Sequence, residues 1–152
     1  MNLEPVYRAS DHGFQIQKLY ERCANKTPLV LVLQTTQNKR FDFYTDQQIK
    51  DYGGQHTAQN PNNLFSFSLD LKLKYTSNDS NNTEAFNFTS SVLALGGGHD
   101  FCLHTNSIDN ASSYNNFSTY GKNQGVSGRD FLTGGSQNFT TTEIEIFQIQ
   151  RV

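Results

Sequence analysis

Apolar and polar residues alternate along much of this chain, and a period of two is typical of β-strands with one buried and one solvent-facing side. The longest run extends from Leu64 to Tyr75. Its odd-numbered residues are phenylalanine, leucine or tyrosine, and its even-numbered residues after Leu64 are serine, aspartate or lysine. A helix would spread these apolar residues around its whole surface. The pattern predicts one long strand whose odd-numbered side chains are buried.

Other short apolar runs predict further strands. Leu29–Leu33 is apolar on both faces, which favours a central strand within Pro28–Thr35, and Phe41–Tyr44 follows a polar turn as the second strand of a hairpin. The strand that begins at Ala85 is expected to pair back on the long strand. The remaining predicted strands are Val6–Ala9, Val92–Leu95, Phe101–Leu103 and Phe139–Ile149, and Met1–Pro5 is predicted to be a short arm.

The last of these strands has a mixed pattern. Ile144 and Ile146 face one side, and Glu143 and Glu145 face the other. Phe147 and the isoleucine two residues after it then fall on the glutamate side. This slip predicts either a bulge at that point or a strand end that is buried on both faces.

One amphipathic helix is predicted over Gln15–Ala24, where the apolar residues recur with helical spacing. They are Ile16, Leu19, Tyr20 and Cys23. Thr45–Tyr52 is a candidate for one helical turn, and Gly53–Asn62 and Asn106–Gly125 are predicted loops. These elements predict a mainly β fold of the α+β kind, with two antiparallel sheets packed as a β-sandwich and one or two short flanking helices. A length of 152 residues predicts one domain, residues 1–152.

Composition narrows the classes of partner. The net charge is −2, so no overall positive field attracts nucleic acid or an anionic membrane. The longest apolar run is far shorter than the ~18 residues of a membrane span, and no signal peptide precedes the first strand. Two cysteines, Cys23 and Cys102, fit a reducing compartment and are expected to be buried thiols. These features predict a cytoplasmic chain that binds no nucleic acid and does not insert into membranes.

A glycine-rich corner joins two of the predicted strands. Gly96, Gly97 and Gly98 allow positive φ or a close backbone approach, and His99 and Asp100 follow at once. The segment lacks the lysine and the following helix of a phosphate-binding loop. His99 and Asp100 are adjacent in a predicted strand, so their side chains point to opposite faces. They therefore cannot hydrogen-bond to each other as a general base and the group that orients it.

The sequence gives little support for a metal site or for a reactive thiol. Asp100, Cys102 and His104 share one strand face, but the outer two are separated by about 13 Å of backbone, too far to close readily on one ion. No Cys-x-x-Cys motif is present, and Cys23 ends its helix, where the dipole raises a thiol pKa. The sequence predicts no catalytic residue, no cofactor site and no metal site.

Two groups of residues are candidates for partner binding. Tyr114, Phe117 and Tyr120 lie in the long polar loop, where they either dock a partner or hold the loop on its own sandwich. Glu143 and Glu145 lie on one face of the last strand, and either solvation or a partner contact explains them.

Ordered sequence landmarks resemble the TLDc domain of the eukaryotic oxidation-resistance proteins. The signature is Gly96-Gly97-Gly98-His99-Asp100 between two apolar strands. The chain departs from the family at Asp42-Phe43-Tyr44, where Gly-Gly-Tyr is usual, and it has no tryptophan. The other landmarks are Tyr7-Arg8-Ala9-Ser10, Gly13-Phe14, Cys23, Asn25-Lys26, Pro28, Asn63-Leu64-Phe65-Ser66-Phe67, Ser113-Tyr114-Asn115-Asn116-Phe117, Phe131-Leu132-Thr133-Gly134, Phe139 and Glu143-Ile144-Glu145-Ile146-Phe147.

The resemblance implies a β-sandwich and a non-enzymatic protein-interaction domain. Members of the family are tied to resistance to oxidative damage, and several engage the vacuolar-type proton ATPase. Arg8 and Ser10 match an early family landmark, and a buried pair between Arg8 and a carboxylate is expected there. Two alternatives remain open: a structural accessory subunit of a large cytoskeletal, ciliary or membrane-bound assembly, and a thiol-dependent antioxidant enzyme.

Overall fold

The computed structural model describes residues 1–56, 63–76, 86–95, 101–115 and 138–151. These residues form two short helices and a set of antiparallel strands. The helices are α1 (Ala9–His12) and α2 (Ile16–Cys23). The strands are β1 (Asn2–Arg8), β2 (Leu29–Thr35), β3 (Arg40–Thr45), β4 (Gly54–His56), β5 (Leu64–Ser68), β6 (Leu73–Thr76), β7 (Phe86–Phe88), β8 (Val92–Leu95), β9 (Phe101–His104), β10 (Ser113–Asn115), β11 (Asn138–Phe139) and β12 (Thr141–Gln150).

The described strands form two antiparallel sheets, which confirms the predicted mainly β fold. Sheet 1 has the order β1-β12-β2-β3-β5-β6, and sheet 2 has the order β11-β10-β9-β8-β7-β4. Aromatic residues from both sheets meet in the core between them. The ring of Phe41 in sheet 1 lies edge-on to Phe101 and Phe139 of sheet 2, at centroid distances of 5.8 and 5.5 Å. The arrangement is that of a β-sandwich.

The predicted amphipathic helix is confirmed as α2. Its four apolar residues are all buried, and Leu19 and Cys23 are fully inaccessible. Tyr20 reaches past the core to sheet 2, where its hydroxyl donates to the carbonyl oxygen of Thr89 at 2.9 Å. The helical spacing therefore identified the face that packs on the sandwich.

The hairpin of β2 and β3 and the adjacent strands β8 and β9 are also confirmed by their registers. The glycine-rich corner at residues 96–100, which connects β8 to β9, lies outside the described residues.

The prediction of an N-terminal arm is wrong. β1 begins at Asn2 and pairs with β12 from Asn2 opposite Gln150 to Arg8 opposite Glu145. The first residues carry little apolar alternation, so the sequence did not indicate that the end of the chain supplies a partner strand. The pairing with β1 also explains why an apolar residue, Phe147, lies on the glutamate face of β12. Phe147 lies opposite Pro5 and is half-buried there. The bulge in β12 lies between Thr141 and Glu143.

The prediction of one long strand from Leu64 to Tyr75 is also wrong. The chain turns over residues 69–72, and β5 pairs with β6 as a hairpin. The buried face is inverted as well. Ser66 and Ser68 are buried, whereas Phe65 and Phe67 are only half-buried on the outer face.

Four further predictions are corrected by the observed elements. β7, which contains Phe86, pairs with β8 and β4 in sheet 2, because β3 and β6 already occupy both edges of β5. β4 lies within the predicted loop Gly53–Asn62, and residues 45–52 contain no helical turn. β10 lies within the predicted loop Asn106–Gly125.

Candidate functional site

The two predicted partner-binding glutamates lie on β12, on the outer face of sheet 1. One carboxylate oxygen of Glu143 accepts the backbone N–H groups of Ser10 and Ile144, each at 3.0 Å. One oxygen of Glu145 accepts a hydrogen bond from Nε of Arg8 at 2.7 Å. Both carboxylates therefore hold the first residues of the chain against the last strand.

The expected pair between Arg8 and a carboxylate is present, but it is not buried. The Arg8 side chain is 55% exposed and that of Glu145 is 29% exposed. The hydrogen bond to Glu145 raises the pKa of the Arg8 guanidinium. An exposed pair of this kind contributes little to the stability of the fold, because water screens its charges.

A groove beside this ion pair combines apolar and charged groups. It encloses about 440 Å³ between β1, the end of α1, the last turn of α2 and β12. We call it the His12–Arg22 groove. Its lining residues are Pro5, Val6, Tyr7, Arg8, Asp11, His12, Arg22, Glu145 and Phe147.

His12 is fixed at the centre of this groove. Its ring stacks on Tyr7 with a centroid distance of 5.7 Å, and its Nδ1 accepts the backbone N–H of Arg8 at 3.0 Å. Its Nε2 lies against Nη2 of Arg22. The hydroxyl of Tyr7 donates to the carbonyl oxygen of Gly13, and burial raises the pKa of that phenol. Sequence analysis missed His12 and Arg22, because neither belongs to a motif and only the folded chain brings them together.

A second groove of about 450 Å³ has a more polar lining, most of which comes from the residues that follow β3 in the chain. The rings of Tyr52 and His56 stack there at a centroid distance of 4.1 Å, and Nζ of Lys50 lies 5.0 Å from the Tyr52 ring. Its lining residues are Thr27, Asp46, Gln47, Gln48, Lys50, Tyr52 and His56. Among the described residues, the side-chain nitrogen of Gln47 in this groove is buried and has no hydrogen-bond partner.

Of the predicted aromatic anchors, only Tyr114 lies among the described residues. It belongs to β10, pairs opposite Cys102 of β9, and lies 6.4 Å from the ring of His104. Tyr114 is therefore a strand residue of sheet 2 and not part of a loop. Phe117, Tyr120 and the signature Gly96–Asp100 lie outside the described residues.

Both cysteines are free and buried, as expected. Burial raises the pKa of Cys23 to about 12 and that of Cys102 to about 11. A hydrogen bond from Tyr114 lowers the pKa of Cys102 by less than burial raises it. Both thiols are therefore protonated at neutral pH, the state that reacts poorly as a nucleophile.

Asp42 is an unusual carboxyl group on the outer face of sheet 1. Only 1% of its surface is exposed, and neither carboxylate oxygen has a hydrogen-bond partner among the described residues. Burial raises its pKa well above the ordinary value.

The described residues contain no group of three or more histidine, cysteine or acidic side chains placed to hold a metal ion. They also contain no helix that is long and apolar enough to cross a membrane.

The family model for the TLDc domain matches residues 1–150 of this chain. A search of curated proteins finds no match.

Proposed function

Because the chain belongs to the TLDc family, we propose that it is a non-enzymatic protein-interaction domain linked to resistance against oxidative damage. We further propose that its partner is the vacuolar-type proton ATPase. The observation that carries this proposal is the extent of the family match, which includes both sheets and both helices of the described fold.

The surface around the chain ends supports a docking role. β1 and β12 place charged side chains, including Arg8 and Glu145, beside an apolar floor that contains Phe147. Charged rims around apolar centres are common in protein interfaces, where the rim gives specificity and the apolar part gives contact area.

The state of the cysteines favours docking over thiol chemistry. A peroxide-reducing cysteine needs a lowered pKa and access to solvent. Cys23 is fully buried, Cys102 is 1% exposed, and burial raises the pKa of both. Protection against oxidants by this domain would then act through a partner.

Affinity purification from native cells tests the proposal. A tagged chain is expected to recover subunits of the vacuolar-type proton ATPase, and recovery is expected to be equal for wild type and for a Cys23→Ser, Cys102→Ser double variant. Loss of recovery in the double variant, together with peroxide consumption by the wild type alone, would support the antioxidant enzyme instead. A tagged chain that stays with a cytoskeletal assembly in high salt would support the accessory subunit. Recovery of no protein partner would overturn the proposal.

A further inference from the structure

Two leucines are exposed in the turn between β5 and β6, where the sequence alternation predicts a buried strand. Leu69 is 44% exposed and Leu71 is 42% exposed. The backbone N–H of Leu69 donates to the carbonyl oxygen of Arg40 at 3.0 Å, and that of Leu71 donates to Oγ of Ser68 at 3.2 Å. Between the leucines, Asp70 accepts the backbone N–H of Arg40 at 2.6 Å. These hydrogen bonds fix the turn, so the two leucines are held toward solvent.

A third apolar side chain is exposed on a turn at the same end of the sandwich. This residue is Ile108, which is 43% exposed. Ser107, just before it, accepts the backbone N–H of Thr141 at the start of β12, and Thr141 lies opposite Thr35 at the end of β2. Since β12, β2, β3 and β5 are successive neighbours in sheet 1, the turns that carry Ile108 and Leu69 are separated by three strand spacings, or about 14 Å.

The other large apolar side chains that the described residues expose are Met1 and Leu3. Leu3 lies opposite Ile149, near the end of β12 that is far from Thr141. Three of these five exposed side chains therefore lie together at one end of the sandwich. We call it the Leu71 end and define it by the turns at residues 36–40, 69–72 and 106–110.

The Leu71 end is locally positive, although the whole chain has a net charge of −2. Its three turns contain Lys39, Arg40 and Lys72 against Asp70 and Asp109, which is a net charge of +1 and leaves −3 for the rest of the chain. Arg40 forms an ion pair with Asp70. The excess positive charge therefore comes from the lysines, and Lys72 is exposed.

This arrangement favours a lipid surface over a protein partner. The centre of a protein interface is a compact apolar cluster that packs into pockets, whereas the apolar side chains here stand on separate turns with polar residues between them. In a fluid headgroup layer each side chain can insert by itself, and lysines beside it are attracted to anionic lipids. The backbone N–H groups of Leu69 and Leu71 are bonded within the chain, so shallow insertion leaves neither without an acceptor.

We propose that the Leu71 end rests on an anionic lipid surface. Leu69 and Leu71 insert shallowly among the headgroups, Ile108 contacts the same surface, and Lys39 and Lys72 lie at the lipid phosphates. Composition alone predicts no membrane insertion, but the fold gathers exposed apolar side chains and excess cations at one end. The contact is peripheral and reversible, because it buries far less apolar surface than a spanning helix. It goes beyond the proposed interaction function and does not depend on it.

A single introduced tryptophan tests the contact, because the chain has none of its own. Leu71→Trp reports from the Leu71 end, and Leu3→Trp, at an exposed position at the other end, is its matched control. The vesicles contain phosphatidylcholine with or without phosphatidylserine, and bromine atoms on the acyl chains quench an inserted indole. On the anionic vesicles we expect the emission of Leu71→Trp to move to shorter wavelength and to be quenched, and that of Leu3→Trp to stay unchanged.

Co-sedimentation with the same vesicles tests the apolar part. The double variant Leu69→Ser with Leu71→Ser is expected to bind the anionic vesicles about tenfold more weakly than wild type, because two apolar side chains no longer insert. If circular dichroism shows that this double variant is misfolded, the single variant Leu71→Ser replaces it and is expected to bind about threefold more weakly.

Two charge variants test the role of the lysines. Lys39→Gln with Lys72→Gln is expected to weaken binding to the anionic vesicles about tenfold or more. Lys26→Gln with Lys50→Gln removes the same charge near the opposite ends of β2 and β3, and its binding is expected to stay within about twofold of wild type.

Several results would overturn the lipid contact. They are no shift for Leu71→Trp, equal shifts for the two tryptophan variants, equal binding by the two charge variants, and equal binding to vesicles with and without phosphatidylserine. If wild type binds no vesicle but the leucine variant no longer recovers a protein partner from cells, the Leu71 end is a protein contact and the lipid proposal is wrong. Vesicle binding without recovery of any protein partner would support the lipid contact and overturn only the interaction function.

Discussion

Asp42 lies on β3 in the interior of sheet 1, with Val32 and Phe67 as its cross-strand neighbours. Its carboxyl group is buried without a hydrogen-bond partner, and burial raises its pKa. Removing an ionised carboxylate from water without a partner is costly, so burial favours the protonated form of this group.

The first prediction concerns the pH dependence that Asp42 imposes. Its folded pKa is raised, so its contribution to stability is complete below the unfolded pKa, near 4, and is lost as the pH rises toward the folded pKa. We expect Asp42→Asn to be more stable than wild type at pH 8. The difference in unfolding free energy should grow with pH above 4 by at most about 1.4 kcal/mol per pH unit. Urea denaturation at several pH values measures this difference.

Asp70 provides a control of opposite sign. The backbone N–H of Arg40 donates to its carboxylate at 2.6 Å and lowers its pKa. Its contribution is therefore present above the unfolded pKa and is lost as the pH falls through the folded pKa. Asp70→Asn should be less stable than wild type at pH 7, and the two should become equally stable in acid.

A constant difference in unfolding free energy between Asp42→Asn and wild type from pH 4 to 8 would contradict a raised pKa at Asp42.

At the scale of elements, the sequence predicted those whose burial is set by local periodicity. The helical spacing from Ile16 to Cys23 identified both α2 and its buried face. The apolar run Leu29–Leu33 identified β2 as an interior strand of sheet 1. β4 and β10 were missed because each is only three residues long, and a period of two cannot be recognised over so few positions.

The β5–β6 hairpin shows why the alternation alone predicted the wrong buried face for β5. Its register sets Ser68 opposite Phe41 and Ser66 opposite Phe43. Both phenylalanines are fully buried and fill the core, so only small side chains fit beside them on β5. Phe65 stacks on Tyr44 on the outer face at 5.0 Å and lies 4.0 Å from Nζ of Lys74. Which face of β5 is buried therefore depends on the size of the side chains on the neighbouring strand, and the sequence of β5 itself does not contain that information.

The second prediction follows from this packing. If Ser66 faced solvent, as the alternation predicts, replacing it with phenylalanine would be tolerated. In the structure, the side chain of Ser66→Phe instead enters a filled core. The substitution also removes the hydrogen bond from the Ser66 hydroxyl to the Asp42 carbonyl oxygen at 3.0 Å. We expect destabilisation of about 1–3 kcal/mol from overpacking, measured by chemical denaturation. Phe67→Tyr on the outer face is the control and should remain within about 0.5 kcal/mol of wild type. A neutral Ser66→Phe would place that serine on the solvent side.

The third prediction concerns the attachment of the N-terminal elements to β12. Glu143→Ala removes the acceptor for the backbone N–H groups of Ser10 and Ile144. We expect faster hydrogen exchange at Ser10 and a loss of about 1 kcal/mol in the free energy of unfolding. Glu145→Gln, which weakens only the exposed pair with Arg8, should cost less than about 0.5 kcal/mol.

Unchanged exchange at Ser10 in Glu143→Ala would contradict the structural role of that carboxylate. If partner recovery also fell, Glu143 would serve as a contact residue, as the sequence first suggested.

For the whole molecule, the candidate site depends on contacts that join the two ends of the chain. The sequence placed Glu143 and Glu145 on one strand face, and the structure confirms that arrangement on β12. Their partners, Ser10 and Arg8, are more than a hundred positions away and became neighbours only because β1 pairs with β12. The groove adds His12 and Arg22 from two helices to that pair. No spacing rule connects these positions, so the sequence alone did not predict the groove.

The fourth prediction addresses whether this fold uses its thiols. Cys23 is the last residue of α2 and Cys102 lies on β9, and burial raises the pKa of Cys102 to about 11. The Cys102 thiol is therefore almost entirely protonated at neutral pH, and the thiolate is the reactive form. We expect iodoacetamide to modify both cysteines at least about a hundredfold more slowly in the native chain than in guanidinium chloride, because access also requires unfolding. Tyr114→Phe should not accelerate the reaction at Cys102, since the hydrogen bond from Tyr114 lowers the thiol pKa and its loss raises that pKa further. Rapid native labelling of Cys102, slowed by Tyr114→Phe, would instead identify an activated thiol and return the antioxidant enzyme as the better account of the domain.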